Sequence, residues 1–447
     1  LEVDNANSSS DVLPARQQQT TATIGVTTLA TIVFFNVSGG PFGIEESVRS
    51  AGFLFSILGF AVFPFVWSIP ESLVTAELGS TYPEASGGVA WVENAFGKFA
   101  GWQAGYLGWV SGATDNAIYP VLFLEYVVQL WSSAESIHPL ARFITISSVS
   151  AALGFQTYLG LDVVGNMSVL IGILSMSPFL VMVMMGTFKL DPSRWLETMA
   201  ESSSPSSPTY GILWRPFLNN LFWNLNSFDS AASYSGEVDN PGKTMPRAML
   251  ISVVMVISCY LLPLMVAIGA TDSLPQDWVD GYLATAAGSI GGKWLEGWVV
   301  LAAAVANISL FQAELSADAY QLCGMAERGF VPEVFSRRSR HGTPTYAILL
   351  GVTVIVVMGN LVDLEAIIEM LNLNYAISLI MEYGAFVKLR MSKPQVHRPF
   401  RIPFGTAGCI ALLSLPVTAT LAVILVASYK TLAFSVVVNL IGVLLYI

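Results

Sequence analysis

Eleven acidic residues fall inside the long apolar segments of this chain, with Arg49 as the only clear base among them. They are Glu45, Glu46, Glu71, Glu77, Asp115, Glu125, Asp229, Glu314, Asp318, Glu369 and Glu382. Glu77 and Glu382 lie near segment ends, where we expect water to reach them. The remaining acids still outnumber the arginine, so they must be protonated, hydrated in a cavity or matched by a cation from outside. This excess predicts a cavity that binds protons or organic cations.

The composition places these acids in a membrane protein. The 447 residues are 54% hydrophobic and 11% charged, with a mean hydropathy of +0.62, whereas a soluble chain carries about 25% charged residues. Many apolar runs approach the roughly 20 residues that an α-helix needs to cross a bilayer. We therefore predict an all-α polytopic membrane protein with twelve transmembrane helices. Basic residues concentrate in the loops that share a side with the N-terminus, which places that terminus in the cytoplasm.

The first predicted helix, over residues 22–50, is interrupted by three glycines and a proline. Irregular backbone at membrane depth lines a cavity, and the freed amides of a half-helix can hold an anion there. The candidate binding residues at this break are Ser38, Gly39, Gly40 and, just beyond them, Glu46. Because Glu45 and Glu46 compete for the same positive helix end, they disfavour a substrate carboxylate. Alternatively, both glutamates only cap the second half-helix.

The sixth predicted helix, over residues 211–236, is also interrupted. Its segment 219–235 carries four asparagines and an aspartate, so this helix must face the protein interior. Helices 1 and 6 each open a block of five, which predicts a five-plus-five inverted repeat of the kind found in secondary transporters, with both breaks at a central site. The predicted domains are a disordered cytoplasmic tail (1–20), a transporter core (21–390, with repeats over about 21–190 and 210–390) and helices 11 and 12 (391–447).

Cysteine, histidine and net charge exclude other kinds of site. Cys259, Cys323 and Cys409 lie in or beside apolar segments and are interpreted as small hydrophobic residues, so we predict no disulfide-linked partner and no metal site. The three histidines are scattered over loops, and no nucleophile–base pair is apparent, so an enzyme is not expected. The net charge of −11 argues against nucleic acid as a partner.

Four loop motifs resemble those of amino acid–polyamine–organocation (APC) superfamily transporters. They are Tyr82-Pro83-Glu84-Ala85-Ser86-Gly87-Gly88, Gly236-Glu237-Val238-Asp239-Asn240-Pro241 with Pro246-Arg247-Ala248, Ala326-Glu327-Arg328-Gly329-Phe330-Val331-Pro332 with Gly342-Thr343-Pro344, and Arg398-Pro399-Phe400-Arg401-Ile402-Pro403. The resemblance begins near residue 20, covers the rest of the sequence and follows the family's order. Residues 38–47 and 103–119 look most like plant polyamine uptake transporters of the L-type amino acid transporter branch.

The resemblance implies two substrate contacts. Glu314 matches the position of a substrate-stacking tryptophan in the related arginine/agmatine antiporter. A carboxylate there would bind an ammonium through a charge-assisted hydrogen bond of about 2.7–2.9 Å; alternatively, Glu314 is a buried residue paired with a polar neighbour. Asn116 matches that antiporter's substrate-contacting asparagine, whereas the adjacent Asp115 carries a charge. Since neighbouring helical residues point about 100° apart, only one of these two should face the cavity.

Aromatic and proton-coupling candidates follow from the same resemblance. Trp223 matches the family's aromatic gate, with packing or interface anchoring as the alternative, and Phe228 and Tyr375 are further aromatic candidates. Asp229 lies in the second break, where many relatives carry an acid, and is either a proton-responsive group or a local cap. The proton-coupling candidates are Asp229, Glu314 and Asp115. We expect no cofactor, with a proton gradient as the energy source.

Three functions compete. The first is a secondary active transporter that imports polyamines (putrescine, spermidine or spermine) with protons by alternating access, because a polyamine suits a corridor of carboxylates and aromatic rings. The second is a carrier of neutral or cationic amino acids, which needs the Gly39 and Gly40 amides and leaves Glu314 structural. The third is a receptor that binds a ligand without transporting it. Such a receptor would need a large soluble signalling domain, which we do not expect from this sequence. We expect a lipid-embedded protein in the plasma membrane, with an endomembrane as the alternative.

Overall fold

The computed structural model describes residues 24–131, 138–199, 211–361 and 364–446, and helices account for nearly all regular structure in these ranges. The helices are α1 (Val26–Val37), α2 (Glu45–Val66), α3 (Ser68–Thr81), α4 (Gly88–Phe96), α5 (Lys98–Asp115), α6 (Ile118–Trp131), α7 (Pro139–Leu159), α8 (Leu161–Gly186), α9 (Trp214–Leu225), α10 (Pro241–Gly269), α11 (Tyr282–Gly291), α12 (Lys293–Glu327), α13 (Thr345–Leu361), α14 (Leu364–Ser392), α15 (Thr406–Val426) and α16 (Tyr429–Tyr446). The predicted tail over residues 1–20 lies outside the described residues, as does the side chain of Glu369.

The first predicted break is present between α1 and α2. Helix α1 ends at Val37, and α2 begins at Glu45. Within α2, Gly52 has a φ of 77° and non-helical geometry, so residues 45–51 are separated from the part of α2 that continues through Trp67 into α3. A residue with a Cβ is strained at that φ, which explains glycine at this corner.

The second predicted break separates α9 from a 3₁₀ helix over Phe228–Glu237. Asn226 is extended, and Ser227 adopts a left-handed φ of 72°, which is uncommon for a residue other than glycine. The side chains of α3 and α14 satisfy the backbone groups that the break frees. Ser68 donates to the Leu225 carbonyl at 2.7 Å, and the Ser227 amide donates to the Tyr375 hydroxyl at 3.0 Å.

Apolar side chains cover both the interior and the outer surface. Helix α1 is buried from Leu29 to Val37 and packs against α8, α10 and α12. Large hydrophobic residues are exposed on the outer helices, as a lipid-facing surface requires, among them Leu170, Ile173, Leu250, Leu301, Leu349, Leu425 and Leu444. By length and composition, six segments of the described ranges can cross a membrane: Glu45–Thr81, Leu161–Lys189, Pro241–Gly269, Lys293–Glu327, Thr406–Val426 and Tyr429–Tyr446. The count of twelve spans and the inverted repeat stay predictions.

One end of the molecule, which we call the closed end, is held by ion pairs between loops and helix ends. Each of the four sequence motifs contributes a charged residue to it. Arg328 binds Glu84 at 2.6 Å, and Arg338 binds Glu237 at 2.5 Å. Burial by itself lowers the pKa of Arg338, but the neighbouring carboxylates outweigh it, so the pKa is raised and the guanidinium stays charged.

The expectation that water reaches Glu77 is wrong, because its exposed fraction is 0%. Glu77 pairs with Arg390 and with Arg398 (3.1 Å), and it accepts a hydrogen bond from the Ile402 amide at 2.8 Å. Arg390 is itself only 4% exposed, so Arg49 is not the only base that accompanies the buried acids. Arg390 lies in the last turn of α14, which carries its side chain to Glu77 on α3.

Candidate functional site

A cavity of about 690 Å³ lies between the two helix breaks and helices α5, α12 and α14. Its lining includes Arg49 and Asp280, which are both exposed, so the cavity reaches the surface there. Its other end is lined by the buried residues Val89, Ala104 and Glu382, beneath the closed end. This volume is in the range of small-molecule sites, and the cavity is accessible from one side.

The cavity wall is strongly acidic. Eight of the described lining residues are carboxylic acids: Glu45, Glu46, Asp115, Asp229, Asp280, Glu314, Asp318 and Glu382. Among the described lining residues, Arg49 is the only base, and it is already paired with Glu46 at the mouth. The other polar side chains of the wall belong mainly to asparagine, serine and tyrosine residues. A cation therefore meets uncompensated carboxylates inside, whereas an anion meets repulsion.

Asp115 lines the cavity and is anchored by two hydrogen-bond donors. Its Oδ2 accepts a hydrogen bond from the Tyr119 hydroxyl at 2.9 Å, and its Oδ1 accepts one from the Trp223 indole Nε1 at 3.2 Å. Asn116 does not line the cavity; it is fully buried and donates to the Phe311 carbonyl at 3.2 Å. Of the two adjacent candidates, the structure thus places the charged one at the cavity.

Trp223 closes part of the cavity from the side of α9. Its indole bridges Asp115 and the first helix break, where a Cβ on Gly43 would lie 2.8 Å from the Trp223 ring. Gly43 also has a φ of 78°, so both space and backbone geometry require glycine there. The break is fixed by Asn220 and Asn224, whose side-chain amides donate to the Gly43 carbonyl at 2.6 and 3.2 Å. Trp223, the predicted aromatic gate, is therefore held between Asp115 and the first helix break.

Glu314 and Asp318 stand one helical turn apart on α12 and face the same point of α5. A Cβ on Gly112 would contact both carboxylates, at 2.9 Å for Glu314. Glu314 is half-buried, whereas Asp318 is 4% exposed, and its Oδ2 has no hydrogen-bond partner among the described residues. Glycine on α5 thus lets two acids approach the backbone, where they form a paired carboxylate site.

Asp229 and Tyr375 belong to a hydrogen-bonded group at the second break. The Tyr375 hydroxyl donates to Asp229 and also lies 3.2 Å from Glu71 Oε1. Glu71 in turn accepts from the Asp229 amide at 3.1 Å and from the Trp67 indole at 3.1 Å. Glu71 does not line the cavity. It holds the break in place, while Asp229 and Tyr375 face the cavity.

The glycines of the first break are placed less favourably for a substrate carboxylate. Ser38 and Gly39 line the cavity, whereas Gly40 does not. The Gly40 amide already lies 3.4 Å from the Ser38 hydroxyl, which donates back to the Gly40 carbonyl at 3.2 Å. Glu46 lines the mouth, and Phe228 is fully buried in the core outside the cavity.

Sequence reasoning did not assign Asp318 or Glu382 to the site, although both were counted among the acids inside the apolar segments. The spacing of four residues between Glu314 and Asp318 places two acids on one helix face, and this signal was available in the sequence. No comparable signal marks Glu382, because only the packing of α14 against α5 brings it to the cavity.

Comparison with known proteins places the chain in a family. The amino acid permease family profile matches residues 20–445. A probable polyamine transporter of Arabidopsis thaliana is 43% identical over 420 residues, which cover 94% of this chain and 85% of that protein. Polyamine transporter RMV1 of Arabidopsis thaliana (92% and 82% covered) and polyamine transporter PUT1 of Oryza sativa subsp. japonica (91% and 74% covered) are also 43% identical. These relatives are transporters and not enzymes, and this chain belongs to the amino acid permease family of the APC superfamily.

Proposed function

We propose that this protein imports polyamines together with protons by alternating access. The observation that carries the proposal is the imbalance of charge in the cavity, where the described part of the wall has eight carboxylic acids and one arginine that is already paired. Such an imbalance at membrane depth is stabilised by a cation from outside or by protonation. The names of the 43% identical relatives support the same substrate class.

Each side chain has a distinct part in this proposal. Glu314 and Asp318 bind an ammonium group through charge-assisted hydrogen bonds, and Asp115 faces the same space. The Trp223 ring closes over the ligand from the outer side, where a cation–π contact contributes about 0.5–2 kcal/mol. Tyr375 and Asp229 link ligand and proton occupancy to the second break, because the Tyr375 hydroxyl accepts a hydrogen bond from the Ser227 amide and donates one to Asp229.

Alternating access is supported by the contrast between the two ends of the cavity. The mouth lies at Asp280, in a loop that the distribution of basic residues predicts to be outside, and ion pairs cover the opposite end. Import requires the mouth to close over a bound cation and the closed end to open. The localisation that accompanies this proposal is the plasma membrane.

The alternative is an amino acid carrier, which needs free amides at the first break. The Gly40 amide faces the Ser38 hydroxyl and does not line the cavity, while Glu45 and Glu46 stand at the start of the second half-helix. A substrate carboxylate would therefore approach two negative side chains. The same fold nevertheless serves amino acid permeases, so this alternative must be an outcome of the test.

The test is uptake of radiolabelled spermidine into proteoliposomes, with and without an inward proton gradient. We expect uptake that the gradient accelerates, competition by putrescine and spermine, and no competition by leucine or arginine. The Glu314→Gln variant should lose most of this uptake, whereas the control Glu333→Gln, at an exposed position away from the cavity, should keep it. Equal competition by leucine or arginine would overturn the polyamine assignment, and gradient-independent uptake would overturn proton coupling.

A further inference from the structure

A buried carboxylate at the inner end of the cavity is assigned no substrate contact in the function proposed above. Glu382 on α14 is 6% exposed and lines the cavity. Its carboxylate packs against Gly88 at the start of α4, in the space that a Cβ at this position would need. Among the described residues it has no hydrogen bond and no ion pair. Its side chain is thus an unpartnered acid, more than nine-tenths buried, that faces the cavity.

The arginines Arg328 and Arg390 at the neighbouring closed end are already paired with other carboxylates. Arg328 is bound by Glu84 and Glu93, and Arg390 is bound by Glu77. A buried carboxylate without a partner is costly unless a cation or a proton satisfies it. The cavity itself is the path by which such a partner reaches Glu382.

The distance between Glu382 and the outer acids, Glu314 and Asp318, follows from the contacts of α5. Glu314 and Asp318 face Gly112, whereas Gln321 and Ser378 lie 3.1 and 3.8 Å from the Cβ position of Gly108, one turn further in. Ser378 also donates to the Ala104 carbonyl at 3.2 Å, and Glu382 follows Ser378 by one turn of α14. The inner carboxylate therefore lies about two helical turns, roughly 11 Å, beyond the outer pair.

This separation matches one class of linear amine. An extended chain advances about 1.2 Å per bond, so the terminal nitrogens of a four-carbon diamine are about 6 Å apart and those of spermidine about 11 Å apart. Gly108, Ala104, Ser378 and Gln321 line the passage between the two acidic positions and leave room for an alkyl chain with polar contacts. A triamine reaches both positions at once, and a diamine reaches only one.

We propose that Glu382 forms a second, inner ammonium subsite that binds the far end of a long polyamine and so favours triamines and tetraamines over diamines. This proposal rests on the proposed function, which supplies the substrate class. The outer acids bind one ammonium of every substrate, whereas Glu382 contributes only when the chain is long enough. Glu382 therefore determines selectivity for chain length.

The experiment compares KM for spermidine and putrescine uptake in proteoliposomes that contain the full chain. The Glu382→Gln variant should raise the spermidine KM about tenfold, as expected for the loss of one charged contact, and change the putrescine KM less than about twofold. Glu382→Asp, which keeps the charge on a shorter side chain, should fall between Glu382→Gln and the wild type. Glu333→Gln, at an exposed position outside the cavity lining, is the matched control and should change neither constant.

Other outcomes separate the two proposals. An equal rise of both KM values in Glu382→Gln, or no rise in either, overturns the inner subsite while the wild-type uptake still supports a polyamine carrier. Wild-type protein that transports neither amine overturns the proposed function itself. Should Glu382→Gln not reconstitute, the spermidine-to-putrescine KM ratio of Glu382→Asp decides, because an unchanged ratio contradicts the subsite.

Discussion

The cavity and the closed end use the same acidic side chains in opposite ways. At the closed end, Glu77, Glu84 and Glu237 each face an arginine within hydrogen-bond distance. In the cavity, Glu314, Asp318 and Glu382 face glycine and other acids. The contrast teaches that burial alone does not distinguish a structural acid from a binding acid; the presence of an arginine partner within the chain does.

The largest effect on stability should come from breaking a partnered acid. Glu77→Gln leaves Arg390 buried without its carboxylate, which should cost about 3–5 kcal/mol. Thermal unfolding in detergent measures this loss. Glu382→Gln is the matched control, because it removes an unpartnered charge at a similarly buried position and should leave the stability nearly unchanged. Similar losses in the two variants would contradict the contrast.

A smaller effect, on substrate affinity, is expected from removing the hydrogen bond between Trp223 and Asp115. Trp223→Phe keeps an aromatic ring and removes the indole N–H that donates to Asp115 at 3.2 Å. The spermidine KM should rise about tenfold, as for the loss of a hydrogen bond to a charged group. The control is Trp294→Phe on the exposed face of α12, which should change KM less than twofold. A wild-type KM in Trp223→Phe would show that this hydrogen bond does not contribute to spermidine binding.

The smallest effect should come from loosening the closed end. Arg328→Gln removes a half-buried guanidinium that joins the end of α12 to Glu84 and Glu93, which should open this end more often. Cys323 is fully buried one turn away, so its maleimide labelling should quicken about fivefold, as for a shift of about 1 kcal/mol. Cys259 and Cys409 are replaced by alanine beforehand.

The matched control for this labelling is Lys293→Gln, in the exposed pair with Glu296 at the other end of α12. It should leave the rate of Cys323 labelling unchanged. Equal rates in Arg328→Gln and the unmodified protein would mean that these ion pairs do not hold the closed end shut.

The helix breaks and the family could be predicted from the sequence, because the patterns that indicate them are local. Glycine, proline and asparagine runs predicted both helix breaks, and the four motifs predicted the family. The choice between Asp115 and Asn116 was not accessible, since it depends on where α5 ends. The pairing of Glu77 with Arg390 joins residues 313 positions apart, and no local pattern reports such a contact. Glu77 was misjudged as hydrated for the same reason.

The central claim is that unpartnered carboxylates in the cavity bind an organic cation, and equilibrium binding to the purified protein tests it most directly. Radiolabelled spermidine is bound to wild-type protein and to Glu314→Gln, with putrescine, leucine and arginine as competitors. The account predicts displacement by putrescine alone among these competitors and a loss of affinity of tenfold or more in Glu314→Gln. Displacement by leucine or arginine as strong as that by putrescine, or wild-type affinity in the variant, would contradict it.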